Sequence, residues 1–416
     1  MLVSMPNTAS STGSVIGVSA HPQAFVQELA KAAAAPAPAP LATRMSVLVD
    51  GDSALAVSCL LAQNGHSVRV CTIGKPGVIP AEYEIRSRNA SVGSFRGRVP
   101  NTKVETDLET VFYESDAIII SSPATEYGAL AEKIVAFLRH QQTVLLVNAP
   151  LGAGMQFAHA VKKCGADLQL NILEMGTLFD CAKVENGVLL ITGLRDNVSV
   201  SANKRNEMRR GLYVASAVAK GLVPSSNSIE RGLSDVERML RPTLLVAGML
   251  GGRDVSLDNI QAWLNPSLVS IVARLDAEIQ GLAKVFKCVV PSFSRALREF
   301  AILGNQSDQV VEKGLPAELE PLLLHMGQSM FDTADGVDLS TVSQFIKRDI
   351  VETLMLIADF ARLARCQMPV LQSVIQLGEV ILCKEITGEF AKDGRSLEDL
   401  GLVGFDTNEI VELFNA

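Results

Sequence analysis

Apolar positions follow two different periods in the first half of the chain. Short runs that are apolar throughout are bounded by turn residues and predict strands, whereas longer segments between them repeat apolar residues at helical spacing. Strands that are apolar on both faces are typical of a parallel sheet covered by helices. We predict strands at residues 46–49, 68–70, 117–120, 143–147, 168–173 and 187–192, and helices at 54–64 and 127–140.

From residue 228 onward the pattern is almost wholly helical. It predicts helices at 257–263, 267–287, 291–303, 316–330, 340–364, 368–389 and 407–414. The join at 223–227 is polar and rich in residues that interrupt regular structure. We therefore expect an α/β fold, with a Rossmann-like doubly wound domain at 45–222 followed by an all-helical domain at 223–416 for substrate binding and dimerisation.

Residues 1–44 differ from the rest in composition. Ser, Ala, Thr and Pro dominate, and 32–40 is an alanine run that passes into alternating Pro and Ala. The segment lacks the features of a secretory signal or a transit peptide. One interpretation is a disordered extension on a semi-rigid Pro linker; the other is a short helix at 21–34 that docks on this subunit or a partner.

Composition narrows the class of protein. A net charge of −8 argues against a nucleic-acid partner, and no run of about 18 apolar residues predicts a membrane span. The seven cysteines form no C-x-x-C pair, which favours reduced thiols in a cytoplasmic protein. The five histidines have no metal-ligand spacing, so we expect no metal site.

The turn after the first strand resembles a dinucleotide-binding fingerprint in part. Gly-x-Gly-x-x-Gly would fall on Val49, Gly51 and Ala54, so the middle glycine is kept and alanine stands at the third position. Asp50 and Asp52 flank the glycine, and their charges oppose an anion at the helix N-terminus. We therefore expect a cofactor cradle of reduced affinity. Its candidate residues are Gly51, Asp52, Ser53 and Ala54.

The end of the second strand bears on the choice of cofactor. An NAD site usually has an acidic residue there for the ribose diol, but this chain has Thr72 and Lys75 and no acid nearby. That composition favours a 2′-phosphate and hence NADP(H) over NAD(H); the alternative is an exposed loop with an incidental lysine. The turn after strand 117–120 should lie on the same edge of the sheet. Its candidate cofactor residues are Ser122, Pro123 and Ala124.

Three stretches carry a resemblance to a known family. Residues 394–402, Gly-Arg-Ser-Leu-Glu-Asp-Leu-Gly-Leu, are similar to the Gly-Arg-Thr-Leu-x-x-Leu-Gly-Leu of octopine/nopaline-type (opine) dehydrogenases. Residues 345–369 resemble the helix in which that family carries an acidic residue, and 237–245 resemble its Asn-x-x-x-His-Pro stretch. The resemblance spans 45–416. It implies reductive coupling of an α-keto acid to the amine of an amino acid by NAD(P)H.

The resemblance also shows where this chain departs from the family. The family's catalytic histidine and aspartate fall on Arg241 and Asp349, and arginine cannot act as an acid or base near neutral pH. The family's asparagine falls on Glu237, and its carboxylate-binding arginine falls on Gln344. Arg348 lies one helical turn later and could reach the same space. We predict that Arg241 and Asp349 form an ion pair in a cleft between the domains.

Three hypotheses on function remain open from the sequence. The first is an oxidoreductase with an altered site, in which Arg241 and Arg348 bind the carboxylates of an imine made from an α-keto acid and an amino acid or amine. The second is a catalytically silent homologue that serves as a binding subunit or scaffold and need not bind a cofactor. The third is a different carbonyl or imine reductase on the same fold. We expect a homodimer in each case.

Overall fold

The computed structural model shows a large parallel sheet, a smaller sheet and a helical region. The residues that it describes are 44–49, 51–72, 79–87, 94–99, 104–179, 181–195, 197–204, 207–250, 265–299, 323, 339–383 and 393–415. The predicted extension at 1–44 lies outside them, apart from Arg44, as do the predicted helices 257–263 and 316–330, apart from Leu323.

The strands fall into two sheets. They are β1 Met45–Val49, β2 Val68–Thr72, β3 Glu82–Ser87, β4 Ser94–Arg98, β5 Val104–Glu105, β6 Ala117–Ile120, β7 Thr143–Leu146, β8 Asn171–Met175, β9 Cys181–Glu185, β10 Val188–Leu194, β11 Asn197–Ala202 and β12 Gly221–Pro224. The main sheet has the order β12-β11-β8-β7-β6-β1-β2-β5, and the smaller sheet has the order β4-β3-β10-β9. The run from β8 to β5 is parallel throughout, which confirms the predicted doubly wound sheet.

Helices cover the main sheet and then continue alone to the end of the described chain. They are α1 Asp52–Gln63, α2 Leu108–Glu114, α3 Tyr127–Ile134, α4 Ala153–Lys163, α5 Met208–Val218, α6 Ser228–Ser234, α7 Glu237–Leu250, α8 Pro266–Val285, α9 Phe293–Glu299, α10 Leu339–Asp349, α11 Met355–Leu363, α12 Pro369–Cys383 and α13 Thr407–Asn415. A π-helical segment, Ile350–Leu354, joins α10 to α11 without a break.

The apolar core has three parts. One lies between the main sheet and α2, α3 and α4. The second lies on the opposite face, where α1 and α5 pack and where α1 also contacts the smaller sheet. The third fills the helical region after residue 228. None of the described helices combines the length and apolarity that a membrane crossing requires.

The predicted strand 187–192 belongs to a different sheet from the one we expected. Val188–Leu194 is buried on most positions, as its apolar run predicts, but it pairs with β9 and β3 in the smaller sheet. The reason is local: Asn186 and Gly187 both have positive φ and join β9 to β10 in a two-residue hairpin. Asn-Gly is a strong signal for such a hairpin, and it outweighs the similarity of β10 to a parallel strand.

The predicted strand 168–173 is shifted toward the C-terminus. The strand β8 runs from Asn171 to Met175 and is buried throughout, including Glu174. The charge of Glu174 suggests a strand end in the sequence. In the structure Arg231 lies against that carboxylate, and both side chains are fully buried, so the strand continues past it.

Candidate functional site

The topology of the main sheet selects one edge as the place for a ligand. From β1 the chain moves to β2 and β5 on one side and then returns to β6 on the other side of β1. Ligands of doubly wound sheets bind beyond the carboxyl ends of the strands at such a reversal. Gly51 follows β1 and Ser121 follows β6, so the predicted cofactor turn lies at this point.

The turn at Gly51 fits an anionic group. Its φ of 115° favours glycine, and a Cβ built there would meet no atom within 4 Å, so the space above the turn is open. Gly51 is the N-cap of α1, and no side chain caps the amide groups of the first turn. Such amides, together with the positive end of the helix dipole, can bind the phosphates of a dinucleotide.

Side chains from three neighbouring turns meet beside Gly51. The hydroxyl oxygens of Ser53 and Ser121 are 2.8 Å apart, and the amide of Asn148 donates to Ser53 Oγ at 3.4 Å. Asn148 Oδ1 also accepts from the backbone N–H of Leu178 at 2.7 Å, which brings in the turn after β8. Sequence reasoning missed Ser121 and Asn148. Asn148 has a positive φ, which asparagine adopts more readily than most residues, so an asparagine directly after a buried strand is the sequence signal that could have found it.

Asp52 connects the cofactor turn to the smaller sheet. Its Oδ2 accepts a hydrogen bond of 2.9 Å from the backbone N–H of Val184 on β9. The carboxylate therefore lies beside the uncapped N-terminus of α1, where its charge opposes a bound phosphate. Thr72 ends β2 and is buried, whereas Lys75 lies outside the described residues.

The Ser122–Ala124 turn is divided between two roles. Ser122 Oγ is buried and has no hydrogen-bond partner among the residues that the structure describes, so it can take one from a ligand. Pro123 is exposed. The backbone N–H of Ala124 donates to Glu352 Oε1 at 3.2 Å and is thus held by the helical region rather than left for a cofactor. Nothing in the sequence pattern pointed to Glu352.

Arg241 and Asp349 lie together, as the sequence predicts. Arg241 Nε is 3.1 Å from Asp349 Oδ2, and the two residues are 2% and 0% exposed. Arg348 Nε donates to the other carboxylate oxygen of Asp349 at 3.2 Å. Both guanidinium groups lie over the ring of Phe345, at 5.4 and 5.2 Å from its centroid. Gln344 lies on α10.

Three further buried ion pairs lie near the first. Glu237, which the resemblance aligns with the family's asparagine, pairs with Arg195 at the end of β10. Arg238 pairs with Glu352 at 3.1 Å and with Asp235 at 3.4 Å. Burial alone lowers the pKa of the Arg238 guanidinium, but Asp235 and Glu352 more than offset it, so its pKa lies above the ordinary value. Arg238 therefore keeps its charge.

No cluster of histidine, cysteine or acidic residues in the described part of the chain could hold a metal ion. Free thiols are present at Cys59, Cys71, Cys164, Cys181, Cys288 and Cys366. The described residues combine an uncapped helix N-terminus at Gly51 with buried arginine–carboxylate pairs whose carboxylates lie in the helical region.

No protein-family model matches the chain. The opine dehydrogenase of Arthrobacter sp. (strain 1C) is 24% identical to it over 370 residues, which cover 86% of this chain and 95% of that protein. The chain is related to the opine dehydrogenases. The resemblance stated from residues 237–245, 345–369 and 394–402 is thereby confirmed.

Solved opine dehydrogenases share the fold. Octopine dehydrogenase in complex with NADH and agmatine matches with a TM-score of 0.63 and 13% identity, covering 89% of this chain and 98% of that chain. Other structures of octopine dehydrogenase are described with NADH and L-arginine or with NADH and pyruvate. Yersinopine dehydrogenase with NADP+ matches with a TM-score of 0.55 and 12% identity, covering 90% and 98%. At such identities the likeness establishes the fold.

Proposed function

We propose that this chain is an NAD(P)H-dependent oxidoreductase that reduces an imine formed from an α-keto acid and an amino acid or amine. The observation that carries the proposal is the cluster of Asp349, Arg241 and Arg348, which is tied through Glu352 to the turn after β6, at the sheet edge where α1 has an uncapped N-terminus. The opine dehydrogenase relative supports it, as do the ligands named for the solved structures, namely NADH, NADP+, agmatine, L-arginine and pyruvate.

Two arginines on one aspartate suit an imine with two carboxylates. Arg241 and Arg348 both contact Asp349 through Nε, and within the described residues their terminal amino groups make no hydrogen bond to protein. A guanidinium held at Nε can still bind a carboxylate through its remaining donors. Because Arg241 is only 2% exposed, substrate reaches it when the cleft opens.

The residues of the cleft position and neutralise the substrate instead of moving protons. When bound, reduced nicotinamide supplies a hydride. An iminium nitrogen already carries its proton, so hydride addition at its carbon needs no acid from the protein, whereas formation of the imine from the keto acid and the amine is slow without an acid or base. Arg241 keeps its charge and acts as a fixed counterion, while Asp349 holds both arginines in place.

A coupled assay tests the proposal. NADPH and NADH oxidation would be followed with a panel of α-keto acids, each with and without an amino acid or amine, and the product identified by mass. Oxidation that requires both substrates and yields the N-linked secondary amine supports the proposal. Oxidation of the dinucleotide with the keto acid alone would instead show a carbonyl reductase. If the chain binds a dinucleotide but oxidises it with none of the substrates, the result would contradict catalysis.

A second candidate is a catalytically silent binding subunit. The observation that favours it is that the positions matching the family's histidine and asparagine both carry charges engaged in buried ion pairs, Arg241 with Asp349 and Glu237 with Arg195. Failure of both dinucleotides to stabilise the folded chain would favour this candidate.

The cofactor preference gives a direct prediction. Because Thr72 and Lys75 stand where an NAD site has an acid, NADPH should raise the melting temperature more than NADH does. Lys75→Glu should weaken that preference, since it replaces the ammonium by a carboxylate. Lys220→Glu, exposed next to β12 at the far edge of the sheet, is the matched control and should leave it unchanged. Stronger stabilisation of the original chain by NADH would reverse the assignment.

Removing the charge of Asp52 should strengthen dinucleotide binding. In Asp52→Asn the remaining amide oxygen can still accept from Val184, while the negative charge beside the helix N-terminus is gone. A charge at a helix terminus is worth about 0.3–1 kcal/mol, so the Kd for NADPH should fall by roughly two- to fivefold. Fluorescence titration measures the change. Glu109→Gln, in the first turn of α2, is the control and should not alter the Kd. A weaker affinity in Asp52→Asn would show that its carboxylate assists binding.

A further inference from the structure

Glu352 occupies an unusual place in the helical region. It lies on the π-helical segment Ile350–Leu354, which begins directly after Asp349. Short π-helical segments inside α-helices often occur at functional sites. Glu352 is buried, and its carboxylate points away from its own helix to the Rossmann-like part of the chain.

The carboxylate of Glu352 contacts one turn at the sheet edge directly and a second turn through Arg238. Its Oε1 accepts from Ala124 N at 3.2 Å, in the turn after β6. Its Oε2 accepts from Arg238 Nη1 at 3.1 Å, and Arg238 in turn donates to the backbone oxygen of Asn148, in the turn after β7. One acid thus fixes both turns relative to the helix that carries Asp349.

A second set of hydrogen bonds completes a closed ring of four residues, namely Glu352, Ala124, Gln156 and Arg395. Arg395 Nη1 donates to the backbone oxygen of Glu352 at 2.7 Å, and Arg395 Nε donates to Gln156 Oε1 at 2.5 Å. Gln156 Nε2 donates to Ala124 O at 2.9 Å. Both the N–H and the C=O of Ala124 are therefore held. Burial lowers the pKa of Arg395 to about 10, which still leaves it charged at neutral pH.

We propose that Glu352 is a positioning residue, which sets the Ser122–Ala124 turn and its free Ser122 hydroxyl at a fixed place relative to Asp349. All members of the ring are buried, so their hydrogen bonds lie in a medium of low dielectric constant and hold the turn rigidly. The role in cofactor placement rests on the proposed function, whereas the restraint on the turn does not.

Hydrogen exchange tests the restraint without any assay of activity. In Glu352→Ala the amide of Ala124 loses its acceptor, so a peptide covering 121–127 should exchange faster than in the original chain. Glu278→Ala is the matched control. Glu278 is also a buried glutamate that accepts from two backbone N–H groups, but these belong to Val370 and Leu371 at the start of α12. It should speed exchange there and leave 121–127 unchanged. Unaltered exchange at 121–127 in Glu352→Ala overturns the proposal.

Cofactor binding and kinetics separate positioning from mere stability. Glu352→Ala should weaken NADPH binding and lower kcat/KM by roughly tenfold or more, since small displacements of positioning groups have effects of that order. Glu352→Gln keeps an acceptor for Ala124 N and should restore protection and most of the affinity. Arg238 retains Asp235 in that variant. If Glu352→Ala does not fold, Gln156→Met serves as the substitute. It removes the hydrogen bond to Ala124 O and should likewise speed exchange at 121–127 and weaken NADPH binding.

The two proposals can fail separately. Faster exchange at 121–127 with an unchanged Kd for NADPH would overturn the positioning role while leaving the oxidoreductase intact. If the original chain binds neither dinucleotide, the proposed function fails, and the exchange measurement alone decides whether Glu352 restrains the turn.

Discussion

Arg241→His is expected to raise imine reduction by a factor on the order of 10² to 10⁴, the usual contribution of a positioned acid or base. Arg241 lies 3.1 Å from Asp349, at the position where the related dehydrogenases carry a histidine by the resemblance above. A histidine there can gain and lose a proton near neutral pH, which arginine cannot. Asp349 would orient the imidazole ring of the introduced histidine and would keep Arg348 as its second partner.

The control separates the acid–base effect from the loss of a charge. Arg241→Gln removes the guanidinium without adding a titratable group and should not raise the rate. Steady-state kinetics over pH 5–9 should show a new dependence on the added histidine in Arg241→His alone. An unchanged rate in an Arg241→His variant that binds NADPH would mean that the missing histidine does not limit this protein.

Arg231→Met is expected to lower the free energy of unfolding by about 3–5 kcal/mol, the usual cost of removing one partner from a buried ion pair. Arg231 is fully buried and contacts the equally buried Glu174 at 3.0 Å. It also donates to the backbone oxygens of Ala149 and Pro150 at 3.0 and 2.6 Å. The substitution leaves Glu174 charged and two carbonyl groups without this donor. Urea denaturation measures the effect.

A double variant identifies the cause of that loss. Glu174→Gln combined with Arg231→Met removes the uncompensated charge and should be more stable than Arg231→Met alone, because the amide oxygen can still accept from Gly154 N and Ser228 Oγ. Arg362→Met, which breaks the exposed pair with Asp359, is the control and should have little measurable effect. Equal stability of the single and double variants would contradict the charge argument.

The charges of the cleft depend on one another. Glu237 and Arg195 are both buried and paired, so replacing Glu237 by the family's asparagine alone would weaken the charge balance around Arg195. Arg195 would then keep a longer contact of 4.0 Å to Asp235, whereas removal of Arg241 leaves Asp349 paired with Arg348 at 3.2 Å. The Arg241 position is therefore the one at which a single change toward the family is best tolerated.

Much of the fold follows from local patterns in the sequence. The apolar runs at β1, β6 and β7 predict central parallel strands, and the helical spacing after residue 228 predicts the long helices α8, α10 to α11 and α12. These signals are local because burial on one or two faces fixes the spacing of apolar residues along the element itself. The family resemblance added the pairing of Arg241 with Asp349, which spacing alone could not give.

Other features depend on partners that are distant in the chain. Ala124 and Glu352 are 228 residues apart, and Gln156 and Arg395 are 239 residues apart, so no local pattern marks any of the four as neighbours. Likewise, the apolar run of β10 showed that it is buried but not which sheet contains it.

The sequence by itself therefore determined the central parallel strands, the long helices and the doubly wound class, and the resemblance predicted which site positions differ from the opine dehydrogenases. The tertiary structure alone decided that Asp52 accepts a hydrogen bond from the smaller sheet, that Asp349 is shared by two arginines and that Glu352 accepts from the turn after β6. The physical reason is that burial and periodicity are properties of a segment. The partner of a buried charge is set instead by which segments the folded chain brings together, and an unpaired charge there is too costly to remain.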